Sequence, residues 1–185
     1  MESKAITHYS ASTQLLHWLT AILVLVAFIY GPGGSEERVY SAARDFDRQL
    51  HETLGLCVLA LAVIRLLWRA VDKHPPTPPV APWMRLAAGT VQVALYVLLF
   101  AVPLSAISGA WLEGHSLTLL GQGAVPPPIA KSHELGATLA EIHTWLGDLI
   151  LWLAGAHAVA ALLHHYVLKD GVLRSMLPHR KADAR

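Results

Sequence analysis

Long apolar stretches alternate with short polar segments along the 185-residue chain. A helix needs about 20 mainly apolar residues to cross a bilayer core of about 30 Å. Four stretches reach that length, and each is predicted to be an α-helix because a lipid-embedded backbone must satisfy its own hydrogen bonds. The spans fall at about 13–30, 50–70, 84–112 and 135–168. The pattern predicts an all-α integral membrane protein, with a four-transmembrane-helix bundle as a single membrane domain over residues 1–185.

Gly and Pro separate the predicted spans. The first ends at Gly31-Pro32-Gly33-Gly34, and the second ends before the Pro-rich linker 74–79. Pro103 is expected to kink the third. The fourth is longer than the bilayer core, so its first turns should project into water or the helix should tilt. Only Lys4 precedes the first span as a cation, so this span is expected to stay in the mature protein rather than be cleaved as a signal peptide.

The composition supports a membrane protein. Charged residues make up 15% of the chain, against about 25% in soluble domains, and the mean hydropathy is +0.44. The net charge of +1 does not indicate a protein that binds nucleic acid. With Cys57 alone, an internal disulfide, a cysteine-built metal site and covalent c-type haem attachment are excluded.

The distribution of Lys and Arg predicts the orientation, because cytoplasmic loops are enriched in these residues. Ten lie on the side of the two termini and four on the other. The ten are Lys4, Arg65, Arg69, Lys73, Arg85, Lys169, Arg174, Arg180, Lys181 and Arg185, and the four are Arg38, Arg44, Arg48 and Lys131. Both termini are therefore predicted to be cytoplasmic.

Histidines inside the predicted spans are the main candidates for chemistry, because ionisable residues are costly in a membrane. His143 and His157 are fourteen residues apart, which places them on one helix face about 21 Å apart along the axis. His17 lies at the depth of His157, and His51 at the depth of His143. Two level pairs in a bundle predict two haems b with histidine ligands on both sides of each iron.

Small residues follow each proposed ligand by one helical turn. They are Ala21, Gly55, Gly147 and Ala161. A flat porphyrin needs low side chains beside its ligand, although small residues also serve helix packing in membranes. Arg65 lies fourteen residues after His51, on the same face at the depth of the terminal-side pair. It is interpreted as a partner for a haem propionate, with a snorkelling arginine as the alternative.

The remaining histidines and one acidic residue have weaker assignments. His164 is interpreted as an interfacial anchor, with a proton donor or part of a quinone pocket shared with Lys169 as the alternatives. His133 lies about 36 Å of helix from His157, too far for a pair inside the bilayer. Asp148 is expected to accept a hydrogen bond from a neighbouring helix, with proton movement as the alternative. Solvent exposure is expected for His8, His74, His115 and His179.

These residues resemble the prokaryotic cytochrome b-561 proteins over nearly the whole chain, from Leu16-His17-Trp18 to Met176-Leu177-Pro178. The matching motifs are His17-Trp18, His51 with Gly55 and Arg65, His143, His157, His164-His165-Tyr166 and Lys169-Asp170. The resemblance implies two haems, ligated by His17 with His157 and by His51 with His143. It also implies a multi-pass protein of the bacterial inner membrane that passes electrons between the ubiquinone pool and a second redox partner.

The resemblance leaves the electron donor open. One activity of the family is oxidation of superoxide at the outer face. Here the four outer cations face eight acidic residues, so the outer surface is net acidic. A related alternative is a cytochrome b subunit that anchors a soluble dehydrogenase or hydrogenase. A remoter alternative is a haem-free proton or metal transporter that uses histidines and Asp148.

Overall fold

The structure, a computed structural model, describes residues 8–72, 80–121 and 123–178. Within these residues the elements are α1 (Ala11–Ile29), α2 (Glu36–Val39), a 3-10 turn (Ala42–Arg44), α3 (Asp45–Val71), α4 (Pro82–Glu113), β1 (Leu117–Leu119), β2 (Gly123–Val125), α5 (His133–Leu163), a π-helical turn (His164–Leu168) and α6 (Val172–Ser175). The helices α1, α3, α4 and α5 are long and apolar enough to cross a membrane. The predicted four-helix membrane fold is confirmed. That residues 1–185 form a single membrane domain stays a prediction.

Local sequence explains where the long helices begin and end. The Ser10 side chain accepts a hydrogen bond from the Thr13 N–H and caps α1. Asp45 and Asp47 occupy the first turn of α3, where negative charge is favourable, so the helix starts before the predicted residue 50. Gly114 ends α4 with a φ of 84°, a conformation that glycine adopts without strain.

Pro103 lies buried inside α4, and the helix continues through it from Pro82 to Glu113. Because proline has no N–H, the carbonyl one turn earlier loses its helical donor. Ser105 donates a hydrogen bond to the Val102 carbonyl at 2.8 Å, so side chains add hydrogen bonds to the backbone around this position.

The four helices pack as two pairs, with α1 on α3 and α4 on α5. A small apolar core joins α3, α4 and α5 at Val58, Ala62, Leu98, Leu99 and Ile150. Gly109 of α4 allows a close approach to α5, because a Cβ there would lie 3.3 Å from backbone atoms of Gly136 and Ala140. Helix α1 makes few contacts with α5, and the side chains described below lie between the two helix pairs.

Different connections close the two ends of the bundle. At the hairpin end, defined by α2, β1 and β2, the Glu52 carboxylate accepts hydrogen bonds from the N–H and hydroxyl of Thr118 at 2.5 and 2.8 Å. This two-stranded hairpin was not predicted. At the terminal end, defined by the start of α1 and by α6, the buried Gln14 amide donates to the carbonyls of Ser175 and Leu177 at 3.1 and 3.0 Å. The first and last described segments of the chain therefore lie at one end. That this end faces the cytoplasm stays a prediction.

Candidate functional site

Two pairs of histidines face each other between the helix pairs. His51 of α3 and His143 of α5 have ring centres 5.9 Å apart with an interplanar angle of 79°. His17 of α1 and His157 of α5 have ring centres 6.4 Å apart at 74°. The structure thus brings together the residues that were expected to lie at the same depths, one pair towards each end of the bundle.

The spacing of each pair matches the distance set by one metal ion held between two imidazoles. A metal–nitrogen bond to histidine is about 2.0 Å, and the ring centre lies about 1.2 Å beyond the nitrogen, which gives about 6.4 Å between ring centres. The observed separations of 5.9 and 6.4 Å are close to this value. A direct hydrogen bond between the two rings would place their centres nearer together. The geometry therefore fits two imidazoles that would together hold one iron.

Backbone carbonyls orient the two imidazoles of the pair nearer the hairpin end. The His51 Nδ1 lies 2.7 Å from the Ala27 carbonyl oxygen, and the His143 Nδ1 lies 2.9 Å from the Val102 carbonyl oxygen. A carbonyl can only accept, so each Nδ1 carries the proton and donates it. The Nε2 lone pair of each ring is then available for a metal, and the hydrogen bond fixes the ring orientation, as is typical of metal-binding histidines.

The end of α1 explains why the Ala27 carbonyl is available. The Gly31 N–H, which would bond to it in a continuing α-helix, bonds to the Phe28 carbonyl instead at 3.2 Å. The last carbonyls of a helix need partners from elsewhere. The Gly31-Pro32-Gly33-Gly34 stop therefore has a second effect, because it leaves a carbonyl for His51.

The small residues beside the ligands adjoin open space. A Cβ at Gly55 or Gly147 would meet no atom within 4 Å, although both glycines are half-buried. Ala21 is exposed and Ala161 is half-buried. A half-buried glycine with free space above it, one turn from a histidine, matches a helix surface that receives a flat ring.

Arg65 lies near the pair at the terminal end. Its guanidinium interacts electrostatically with the imidazoles of both His17 and His157, and its Cζ lies 5.4 Å from the centre of the Tyr96 ring. It lines a cleft of about 180 Å³ with residues of α1, α3 and α4. It makes no ion pair with a described residue. An unpaired cation in a membrane span needs an anionic partner, and a haem propionate fits this requirement.

The candidate quinone residues lie at the terminal end but differ in their surroundings. Lys169 lines a second cleft, of about 280 Å³, whose other lining residues are His165, Tyr166, Gly171 and Arg174. The side chain of His164 instead forms a hydrogen bond with the Asp170 carboxylate. Burial raises the pKa of Asp170, but the hydrogen bonds from His164 and from the Val172 N–H outweigh burial and lower this pKa overall.

Three expectations about single residues are wrong. His8 was expected to be exposed to solvent, but it is half-buried and interacts with other parts of the protein. Asp148 was expected to accept a hydrogen bond from a neighbouring helix, but it is exposed on α5 and no described residue donates one to it. The His115 side chain was expected to be solvated, but it is only 29% exposed and bonds to Glu36 at 2.7 Å. Its ring stacks on Tyr40 with centres 3.6 Å apart. Some predictions concern residues outside the described part of the chain, namely Lys4, Lys73, His74, His179, Arg180, Lys181, Arg185 and the linker 74–79.

The carbonyls that hold the imidazoles were missed by sequence reasoning. A backbone carbonyl has no signature of its own, and those of Ala27 and Val102 come from helices other than those of the histidines they hold. Gly31 was the available signal for the Ala27 carbonyl, because α1 ends there. Pro103 removes the helical donor of the Leu99 carbonyl and not that of Val102, so it does not point to the Val102 carbonyl.

The chain is similar to known proteins over nearly its whole length. The family model for prokaryotic cytochrome b561 matches residues 8–179. Cytochrome b561 homolog 2 of Escherichia coli (strain K12) is 31% identical over 176 residues, covering 95% of this chain and 94% of the relative. The probable superoxide oxidase CybB of Yersinia pestis is 31% identical over 180 residues, covering 94% and 97%. Cytochrome b562 of Cereibacter sphaeroides is 34% identical over 171 residues, covering 89% and 92%.

These matches extend over nearly the whole length of the chain and of each relative. They cover all four long helices and both histidine pairs. The family implies a multi-pass membrane protein with haem b and an oxidoreductase or electron-transfer role, which sets aside a haem-free transporter. The chain belongs to the prokaryotic cytochrome b561 family.

Proposed function

We propose that this protein holds two haems b and carries electrons across the bacterial inner membrane, between the ubiquinone pool and a one-electron donor such as superoxide. The observation that carries the proposal is the presence of two facing histidine pairs, each with the ring spacing of a doubly ligated metal. A relative of similar length is a probable superoxide oxidase, which supports the choice of donor.

The proposed ligands are His17 with His157 near the terminal end and His51 with His143 near the hairpin end. Small residues leave room for the porphyrin beside these ligands, at Ala21, Gly55, Gly147 and Ala161. Arg65 neutralises a propionate of the terminal-end haem. Haem supplies reversible one-electron chemistry at its iron. The separation of His143 and His157 along α5 places the two sites about 21 Å apart along the helix axis.

The protein side chains and backbone have three tasks in this proposal. The carbonyls of Ala27 and Val102 hold the Nδ1 protons of His51 and His143, which keeps each Nε2 directed at the iron. The guanidinium of Arg65 places positive charge beside the terminal-end pair, which favours the reduced state there. The apolar core of α3, α4 and α5 lies between the two ends and excludes water from the middle of the bundle.

Superoxide would approach the hairpin end if the termini are cytoplasmic. Two of the four cations expected on that side already form ion pairs. Arg44 pairs with Asp47, and Arg48 pairs with Asp45 and Glu52. Arg38 and Lys131 make no ion pair with a described residue. They are therefore the cations proposed to attract an anionic donor. Quinone is proposed to bind at the terminal end, near Lys169.

The test is a quinone-reduction assay with the purified protein and enzymatically generated superoxide. We expect ubiquinone to be reduced at a rate that falls with rising ionic strength, because attraction of an anion by surface cations is screened by salt. Replacing both Arg38 and Lys131 by Gln should lower the superoxide-dependent rate, whereas Arg85→Gln at the terminal end should not. If superoxide reduces neither the haems nor the quinone, and the protein copurifies with a dehydrogenase, the anchoring-subunit function replaces this one.

A further inference from the structure

A cluster of potential metal ligands lies at the hairpin end, apart from the two histidine pairs. Glu36 of α2, Glu113 at the end of α4 and His133 at the start of α5 each offer one ligand atom, and these atoms all lie within 4.8 Å of one another. The three residues come from three separate segments. The fold therefore assembles the cluster, and it does not follow from residues that are neighbours in sequence.

Glu113 is the unusual member of this cluster because it is buried. Its side chain is 8% exposed, and its Oε2 accepts a hydrogen bond from His133 Nδ1 at 2.7 Å. The Oε1 atom is also buried, and no described residue donates a hydrogen bond to it. A buried carboxylate oxygen without a partner costs free energy. A cation bound by this carboxylate would offset that cost.

Glu36 is held in place towards Glu113 and His133. Its Oε1 lies 2.7 Å from His115 Nε2, and the His115 ring stacks on Tyr40. The hydrogen bond from His115 fixes the position of the Glu36 carboxylate beside the other two residues. Imidazoles that bond to a ligating carboxylate commonly orient it in metal sites.

We propose that Glu36, Glu113 and His133 bind one divalent transition-metal ion of the Zn²⁺ class at the hairpin end. Two carboxylates and one imidazole suit such ions, and three protein ligands with an open fourth position form a common zinc arrangement. Metal–ligand bonds of about 2.0–2.1 Å in a tetrahedron place ligand atoms about 3.4 Å apart. Since the ligand atoms now lie within 4.8 Å of one another, a closure of at most about 1.4 Å is needed. Glu36 can supply it because its side chain is 46% exposed.

Binding would join three segments that otherwise meet through hydrogen bonds. The ion would connect α2 to the end of α4 and the start of α5, on the hairpin-end side of the His51–His143 pair. It would also be reachable from water, because the His133 side chain is 71% exposed. This site is independent of the haem assignment, since none of its residues is a proposed haem ligand.

The test is Zn²⁺ binding to the purified full-length protein with its cofactors, measured by calorimetry or by competition with a chromophoric chelator. We expect the unmodified protein to bind one equivalent of Zn²⁺ at this site, and to bind it more tightly than Zn²⁺ at any other site on the protein. Glu36→Gln and His133→Ala should each weaken this binding by at least about tenfold, because each removes one ligand. The matched controls Glu37→Gln and Glu134→Gln remove exposed neighbouring carboxylates and should leave the affinity unchanged.

A second readout is thermal. Saturating Zn²⁺ should raise the Tm of the unmodified protein and of both controls, because a ligand that binds the folded state stabilises it. At the same Zn²⁺ concentration the Glu36→Gln protein should show a smaller rise, because its weaker site gains less stability. Glu36 is exposed, so its replacement should fold normally and the comparison stays informative if Glu113 variants do not fold. The proposal is overturned if the unmodified protein binds Zn²⁺ no better than Glu36→Gln and His133→Ala, or if the controls lose affinity equally. The cluster would then be an ion-pair network only.

Discussion

Gly147 offers the sharpest test of the cofactor geometry, because one substitution should exclude one haem and leave its ligands in place. It is half-buried, lies one turn after His143, and has no atom within 4 Å of an ideal Cβ. If a flat ring occupies that space, Gly147→Leu should cost the protein the haem held by His51 and His143. The haem held by His17 and His157 should remain.

Contact distances show how severe the steric clash between the leucine side chain and the ring would be. A ring packed on this surface lies about 3.5–4.0 Å from a Cβ at ordinary contact. The methyl carbons of leucine extend about 2.5 Å beyond Cβ through two bonds of about 1.5 Å. They would come within about 1.5 Å of the ring, which the close-packed α4–α5 pair cannot relieve by a small shift. The helix itself gains from the change, since leucine is favoured over glycine by about 1 kcal/mol.

The assay is haem content per protein, with a reduced-minus-oxidised spectrum, in Gly147→Leu and a matched control. Gly155→Leu is that control, because Gly155 lies on the same helix, is exposed and also has no atom within 4 Å of its Cβ. It lies about 200° around the helix from His157. We expect Gly147→Leu to lose half of the b-type absorbance and Gly155→Leu to lose none. If Gly147→Leu keeps all of its haem, the space beside His143 does not receive a porphyrin.

Three further predictions concern charged residues. Arg65→Gln should lower the reduction potential of one haem and leave the other unchanged, because it removes positive charge near His17 and His157; a redox titration measures this, and two unchanged potentials would refute the role of Arg65. The Asp170 pKa is lowered in the folded protein, so its contribution to stability is present above about pH 4 and is lost as pH falls through the folded pKa. The Tm of Asp170→Asn should therefore vary less with pH between about 5 and 2 than that of the unmodified protein, and parallel Tm–pH curves would contradict this. Asp148→Leu should raise the Tm in detergent or lipid without loss of haem, because the carboxylate is exposed on a membrane helix; a lower Tm would show that Asp148 has a partner.

The sequence predicted the bundle and the level histidines for one reason. Helix geometry is regular, so a separation of fourteen residues on α5 fixes both a face and a depth. His17 and His51 follow from the same rule, because each lies just inside the start of its helix. Nothing beyond apolar length and helical periodicity was needed to place His51 opposite His143 and His17 opposite His157.

Features that depend on contacts between distant segments were not predictable in this way. Glu52 of α3 holds the hairpin of Leu117–Leu119 and Gly123–Val125, and no local sequence pattern predicts that contact. His115 was assigned to solvent because it lies in a loop, but tertiary packing places it on Tyr40. Asp148 was expected to have a partner because a buried carboxylate needs one, and it is exposed instead.

The central claim is that two histidine pairs, one near each end of the bundle, each hold a haem. The most direct measurement is the haem-to-protein ratio and redox titration of His143→Ala and His157→Ala beside the unmodified protein. The account predicts that each variant loses half of the haem, and that the two variants retain components of different potential. Retention of all haem in either variant, or loss of the same component in both, would contradict it.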